Sequence, residues 1–120
     1  MNIQLHVSSK QEISNWQKKL KYFSQENALL KYRLSEIVDN NEDDSFLQAA
    51  EYFQNELLLK DEKLKKLTKQ LLEISNRTKA GKQSDEIIRK YEKLRNDICL
   101  FEKKYEGLSK EFNEKLMQSS

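Results

Sequence analysis

The chain contains no proline and only two glycines, Gly81 and Gly107, so little in its 120 residues forces a helix to break. Valine and threonine occur twice each, at Val7, Val38, Thr68 and Thr78, and so small a β-branched stock argues against a sheet. A single cysteine, Cys99, excludes an intrachain disulfide and fits a reducing compartment. Beside Ile98 and Phe101 it reads as a packed thiol rather than a nucleophile. One histidine, His6, and that one cysteine cannot supply the four ligands of a zinc site, nor the paired Glu-x-x-His motifs of a di-iron bundle. No glycine-rich phosphate loop, nucleophile elbow or Cys/His pair is present. These absences argue against an enzyme, a cofactor, a metal site and a small-molecule substrate.

Long apolar runs are also missing. The longest purely aliphatic stretch is Leu57 to Leu59, far short of a membrane span, and Met1 to Ser9 has neither the basic start nor the apolar run of a signal peptide. The expectation is a cytoplasmic protein that makes no use of a membrane.

What the chain does have is charge and helical periodicity. With 35% charged and 37% hydrophobic residues it falls in the compositional class of long helices. Apolar residues recur at alternating three- and four-residue steps, the spacing that keeps one helix face toward a partner. The first stripe runs Ile13, Trp16, Leu20, Phe23, Asn27, Leu30, Leu34, Ile37 and is broken only by Asn27. The second runs Phe46, Ala50, Phe53, Leu57, Lys60, Leu64, Leu67, Leu71, Ile74 and is broken by Lys60. The third, Ile87, Tyr91, Leu94, Ile98, Phe101, Tyr105, Leu108, Phe112, is unbroken. Asn27 and Lys60 could fix register, but the simpler reading is that Asn27 finds a polar neighbour and Lys60 snorkels.

End signals divide the stripes. Ser9 with Glu12 and Ser45 with Gln48 fit the capping box, and Ser84 followed by Asp85 and Glu86 fits a third helix start. Gly81 suits the end of the second helix, and Asn40 and Asn41, which tolerate the left-handed conformation, the end of the first. The alternation of Ile3, Leu5 and Val7 suggests an extended arm. The fold class expected is all-α: an antiparallel three-helix bundle or coiled coil at residues 9–120, with helices at about 9–40, 45–80 and 84–118 and an N-terminal arm at 1–8. Connections this short leave neighbouring helices antiparallel. Gly107, inside the third helix, reads as a local weakening rather than a close-approach point.

The stretch Trp16 to Leu20, then Asn27, Ala28, Leu29, Leu30, Lys31, Tyr32, Arg33, Leu34, then Glu51, Tyr52, Phe53, Gln54, Asn55 resembles a group of small, uncharacterised bacterial coiled-coil proteins. They share a tryptophan helix, a Lys-x-Arg-Leu segment and an aromatic Phe-Gln-Asn segment. The resemblance covers the first half of the chain and implies a helical fold without implying an activity. An early tryptophan in the first of three helices is also similar to spectrin-type repeats, at that one position.

Two surface features point toward binding. Residues 1–24 hold four lysines and one glutamate, and residues 63–95 hold eleven lysines and arginines against four acids, so this end of the folded rod carries +10 and the remainder −8. Lys63, Lys65, Lys66, Lys69, Lys79, Lys82, Arg89 and Lys90 form a candidate anion-binding end for phosphate on nucleic acid or anionic lipid. No groove-reading motif accompanies them, which makes nucleic acid the secondary expectation. Off the seams lie Tyr22, Leu29, Tyr32, Tyr52, Leu58, Leu59 and Leu100. Three helices cannot bury all of them, and Tyr22, Leu29, Tyr52, Leu59 and Leu100 form a candidate self-association belt. The expected function is a non-enzymatic interaction or scaffold protein, pairing with itself or with another helical protein.

Overall fold

The computed structural model describes residues 2–40, 43–81 and 84–117, with side chains from 10 to 116. Three helices follow one another: α1 (Asn2–Asp39), α2 (Asp44–Lys79) and α3 (Asp85–Phe112), the last continued by a π-helical turn (Asn113–Met117). They form an all-α three-helix bundle, with no strand among the described residues, in a rod of 59 × 19 × 18 Å. Cross-helix pairs fix the directions. Glu12 meets Arg95 and Lys19 meets Glu102, both 83 residues apart, so α1 and α3 run parallel. Numbers fall along α2 as they rise along α3, in the pairs Glu73 with Lys90, Lys60 with Phe101 and Phe53 with Phe112, so α2 runs antiparallel to both.

Each apolar stripe faces the common core. From α1, Ile13, Trp16, Leu20, Phe23, Leu30 and Leu34 are buried; α2 contributes Phe53, Leu57, Leu64, Leu67, Leu71 and Ile74, and α3 every residue of its stripe. Aromatic rings join the layers. Trp16 sits 5.0 Å from Tyr91, Phe23 packs on Phe101 and Tyr105 at 5.5 and 5.1 Å, and Phe53 meets Phe112 edge-on at 5.4 Å. Both polar interruptions find partners. Asn27 is fully buried and bonded to α2, and the Lys60 ammonium lies over the Phe101 ring at 5.9 Å.

Helix ends depart from expectation in three places. Backbone helix begins by Asn2, so the extended arm at 1–8 is replaced by the first two turns of α1. With no glycine or proline before Gly81, a nucleated helix gains a hydrogen bond with each further residue, and position 9 falls inside α1 rather than at its start. Glu12 reaches α3 instead of the amide of Ser9. The cap of α2 is Asp43, two residues before Ser45: its carboxylate accepts from the Ser45 amide at 3.1 Å, the bond that a cap makes to the second helical residue. Asn40 ends α1 without entering the left-handed region, its side-chain amide donating to the Glu36 carbonyl at 2.9 Å. Asn41 lies outside the described residues.

Other ends match their sequence signals. Ser84 caps α3, accepting from the Ile87 amide at 3.3 Å, and Gly81 follows the α2 cap with φ +75°, the left-handed conformation that a side chain would strain. A methyl group added at Gly107 would meet nothing within 4 Å, so no backbone approaches it. Within the π turn the core stripe continues at Leu116, four places past Phe112 and 1% exposed.

Candidate interaction surface

Side chains that lie one or two places past a core residue point outward, and the ion pairs show toward which neighbour. Tyr22 and Leu29 stand two places past Leu20 and Asn27, on the side of α1 from which Glu12 and Lys19 reach α3. Tyr22 lines the groove of about 730 Å³ between α1 and α3, with Phe23, Glu26, Glu102 and Tyr105 among its neighbours. Tyr52 and Leu59 stand two places past Ala50 and Leu57, on the side of α2 from which Glu73 reaches Lys90. Leu100 stands two places past Ile98, on the side of α3 that carries Lys90. All five are exposed, Tyr22 and Leu59 at 56% and Leu100 at 52%.

The belt is therefore brought together in part. Tyr52, Leu59 and Leu100 share the α2–α3 side, whereas Tyr22 and Leu29 lie on the α1–α3 side. Between the two runs the outer ridge of α3, with Arg89, Lys103 and Lys110. Leu72, exposed in the α1–α2 groove beside Leu71, is an apolar surface residue that sequence reading missed. Its doublet with a core leucine hides it; the same pattern in Leu57, Leu58 and Leu59 is the signal that would have found it.

The basic residues do not gather into one flat patch. Lys63 and Lys66 lean to the α3 side of α2, Lys65 and Lys79 to the α1 side, and Lys69 points directly outward, all of them exposed. Arg89 is exposed on α3. Lys90 is engaged by Glu73 at 3.2 Å and Glu86 at 3.4 Å, and those carboxylates hold its ammonium above the ordinary value. Lys82 lies outside the described residues.

Two polar clusters tie the helices. On α1, Asn27 Nδ2 donates to the Leu57 carbonyl at 2.9 Å and to Asp61 Oδ1 at 2.7 Å, and Lys31 bonds the other Asp61 oxygen. Burial works against the Asp61 charge, but the bonds from Lys31 and Asn27 outweigh it and the carboxyl sits below its ordinary value. Nearer the α2–α3 turn, Glu12 takes a guanidinium bond from Arg95 at 2.7 Å and the hydroxyl bond of Tyr91. The Arg95 bond leads in holding Glu12 below its ordinary value against partial burial. Burial, helped by the Glu12 charge, pushes Tyr91 far up. Both clusters join helices through charge-assisted bonds and resemble structural ties more than a reaction centre.

Cys99 is exposed, which corrects its reading as a packed thiol: Ile98 takes the core position and turns its neighbour outward. Among the described residues no group of three or more His, Cys, Asp or Glu side chains is placed to hold a metal ion, and the His6 side chain lies outside them. No helix among them is long and apolar enough to cross a membrane. No family model, curated protein or solved structure matches this chain.

Proposed function

We propose that the chain is a non-enzymatic binding protein, a stiff helical rod that presents apolar side chains to another helical surface, its own or that of a different protein. The observation that carries this reading is the contrast between a filled core and its surroundings. Among the described residues, eight large apolar side chains stay between 40% and 62% exposed while the seams beneath them are closed. Isolated exposed leucines are ordinary, but Leu58 and Leu59 adjoin, and Tyr52 lies two turns away along the same helix. Cytoplasmic residence is part of the same proposal, and the lone cysteine supports it.

Affinity capture from the native cell, with wild type beside Leu59→Lys and Leu100→Lys, tests it. Partner or self-capture should be lost in the variants while the helical circular-dichroism signal is kept. An unchanged captured set would contradict it. Phosphate binding by the basic half is less well supported, because its lysines diverge around α2 and Lys90 is already paired. That alternative predicts retention on nucleic acid that falls steeply with salt.

A further inference from the structure

Read along its outward stripe, α2 passes from acidic to basic, Glu73 excepted. The stripe runs Glu51, Tyr52, Asn55, Leu58, Leu59, Glu62 and continues Lys65, Lys66, Lys69, Leu72, Glu73, Asn76; every one of these residues is exposed. Over the whole helix, residues 44–62 carry five acids against Lys60, and residues 63–79 carry six bases against Glu73. The sign changes between Glu62 and Lys63, at the middle of Asp44–Lys79.

We propose that the occupant of this face is a second copy of the same chain, packed antiparallel along α2 about a two-fold axis beside Glu62. This rests on the binding reading above and names its partner. A two-fold interface uses one patch on both copies, so each contact occurs twice and the patch must complement itself. An axis at Glu62 sets Tyr52 at the level of Leu72 of the second copy, on the opposite flank of the contact, and brings each Glu62 within one turn of Lys65 and Lys66 of the other copy. Leu58 and Leu59 then lie over the aliphatic stems of Lys65, Lys66 and Lys69. The acidic half of each α2 meets the basic half of the other. A parallel pair would set each half on its like, and like charges across an interface oppose association. Leu100, on the α2–α3 side, lies at the margin of the same contact.

Disulfide trapping decides the arrangement. In a Cys99→Ser background, Gln48→Cys and Asn76→Cys place single thiols toward opposite ends of the stripe, both at exposed positions. An antiparallel pair predicts a cross-linked dimer when the two variants are mixed and little when either is oxidised alone. The reverse pattern, with each variant linking to itself, indicates a parallel pair and overturns the proposal. Light scattering of the unmodified chain should give twice 14.3 kDa at high micromolar concentration. It should fall to one chain in Leu58→Lys/Leu59→Lys, which sets like charges against Lys65, Lys66 and Lys69 of the other copy, with the helical signal intact. A mass that keeps growing with concentration would mean head-to-tail assembly and also overturns it. A monomeric wild type that still captures a different helical protein through Leu59 removes this proposal and leaves the binding reading standing. A monomer that captures nothing removes both.

Discussion

Asn27 on α1 and Asp61 on α2 are joined by a 2.7 Å hydrogen bond, and Asn27 occupies a core position with no exposed surface. An apolar residue there would pack well, but the amide also holds the Leu57 carbonyl and so ties α1 to α2 at one level. Its own carbonyl oxygen is buried without a partner among the described residues. Asn27→Leu removes that orphan together with the tie, and its stability should stay within about 1 kcal/mol of wild type. Asn27→Asp sets a second carboxylate against Asp61 and should lose roughly 3 kcal/mol or more at neutral pH, by the logic of an uncompensated buried charge. Urea denaturation of the two variants checks both, and an Asn27→Asp protein as stable as wild type would contradict the network.

Tyr105 presents the opposite case. Its hydroxyl is buried with no partner among the described residues, and burial, reinforced by the charges of Glu26 and Asp61, holds it far above its ordinary value. Tyr105→Phe keeps the ring contacts to Phe23 and Phe101 and removes the orphan, so it should stabilise the bundle by about 1 kcal/mol. A lower denaturation midpoint would show that the hydroxyl is bonded in solution.

The three apolar stripes, read at three- and four-residue steps, sufficed to place all three helices and nearly all of the core. What they left out shows where periodicity stops informing. The stripe of α3 ends at Phe112 in the sequence reading, where a step of three lands on Lys115, whereas the structure buries Leu116, four places on. Nothing local distinguishes a Glu12 that caps from one that crosses to Arg95, since both leave the residue in a first-turn pattern after a serine. The exposed belt was legible residue by residue but not as a surface. Its division between two grooves depends on which neighbour each side of a helix faces, and the cross-helix ion pairs supply that.

Acid should weaken the bundle. Glu12 and Asp61 both have folded-state values below their ordinary ones, 4.5 and 3.8, so the stability they contribute is complete above those values and is lost as pH falls through the lower folded ones. Denaturation midpoints should therefore hold steady from neutral pH to about 5 and decline below it. The decline should be shallower in Glu12→Gln than in wild type, and an identical slope would remove Glu12 from the account.

Trp16 is the single tryptophan, buried with its ring tilted against Tyr91 of the Glu12 cluster. Trp16→Ala should cost about 3 to 5 kcal/mol, the range for large aromatics lost from a core. A loss under about 1 kcal/mol in chemical denaturation would place the ring at the surface and shift the register of α1 against α3.

That the exposed apolar residues serve binding rather than folding is tested most directly by sedimentation of wild-type and Leu59→Lys chains across one concentration series, at matched helical signal. Leu59 is more than half exposed, so the substitution should leave folding within about 0.5 kcal/mol of wild type. The account predicts that the wild-type boundary moves from one chain toward two as concentration rises while the variant stays at one. A variant that associates as strongly as wild type, or one that loses its helical signal, would contradict it.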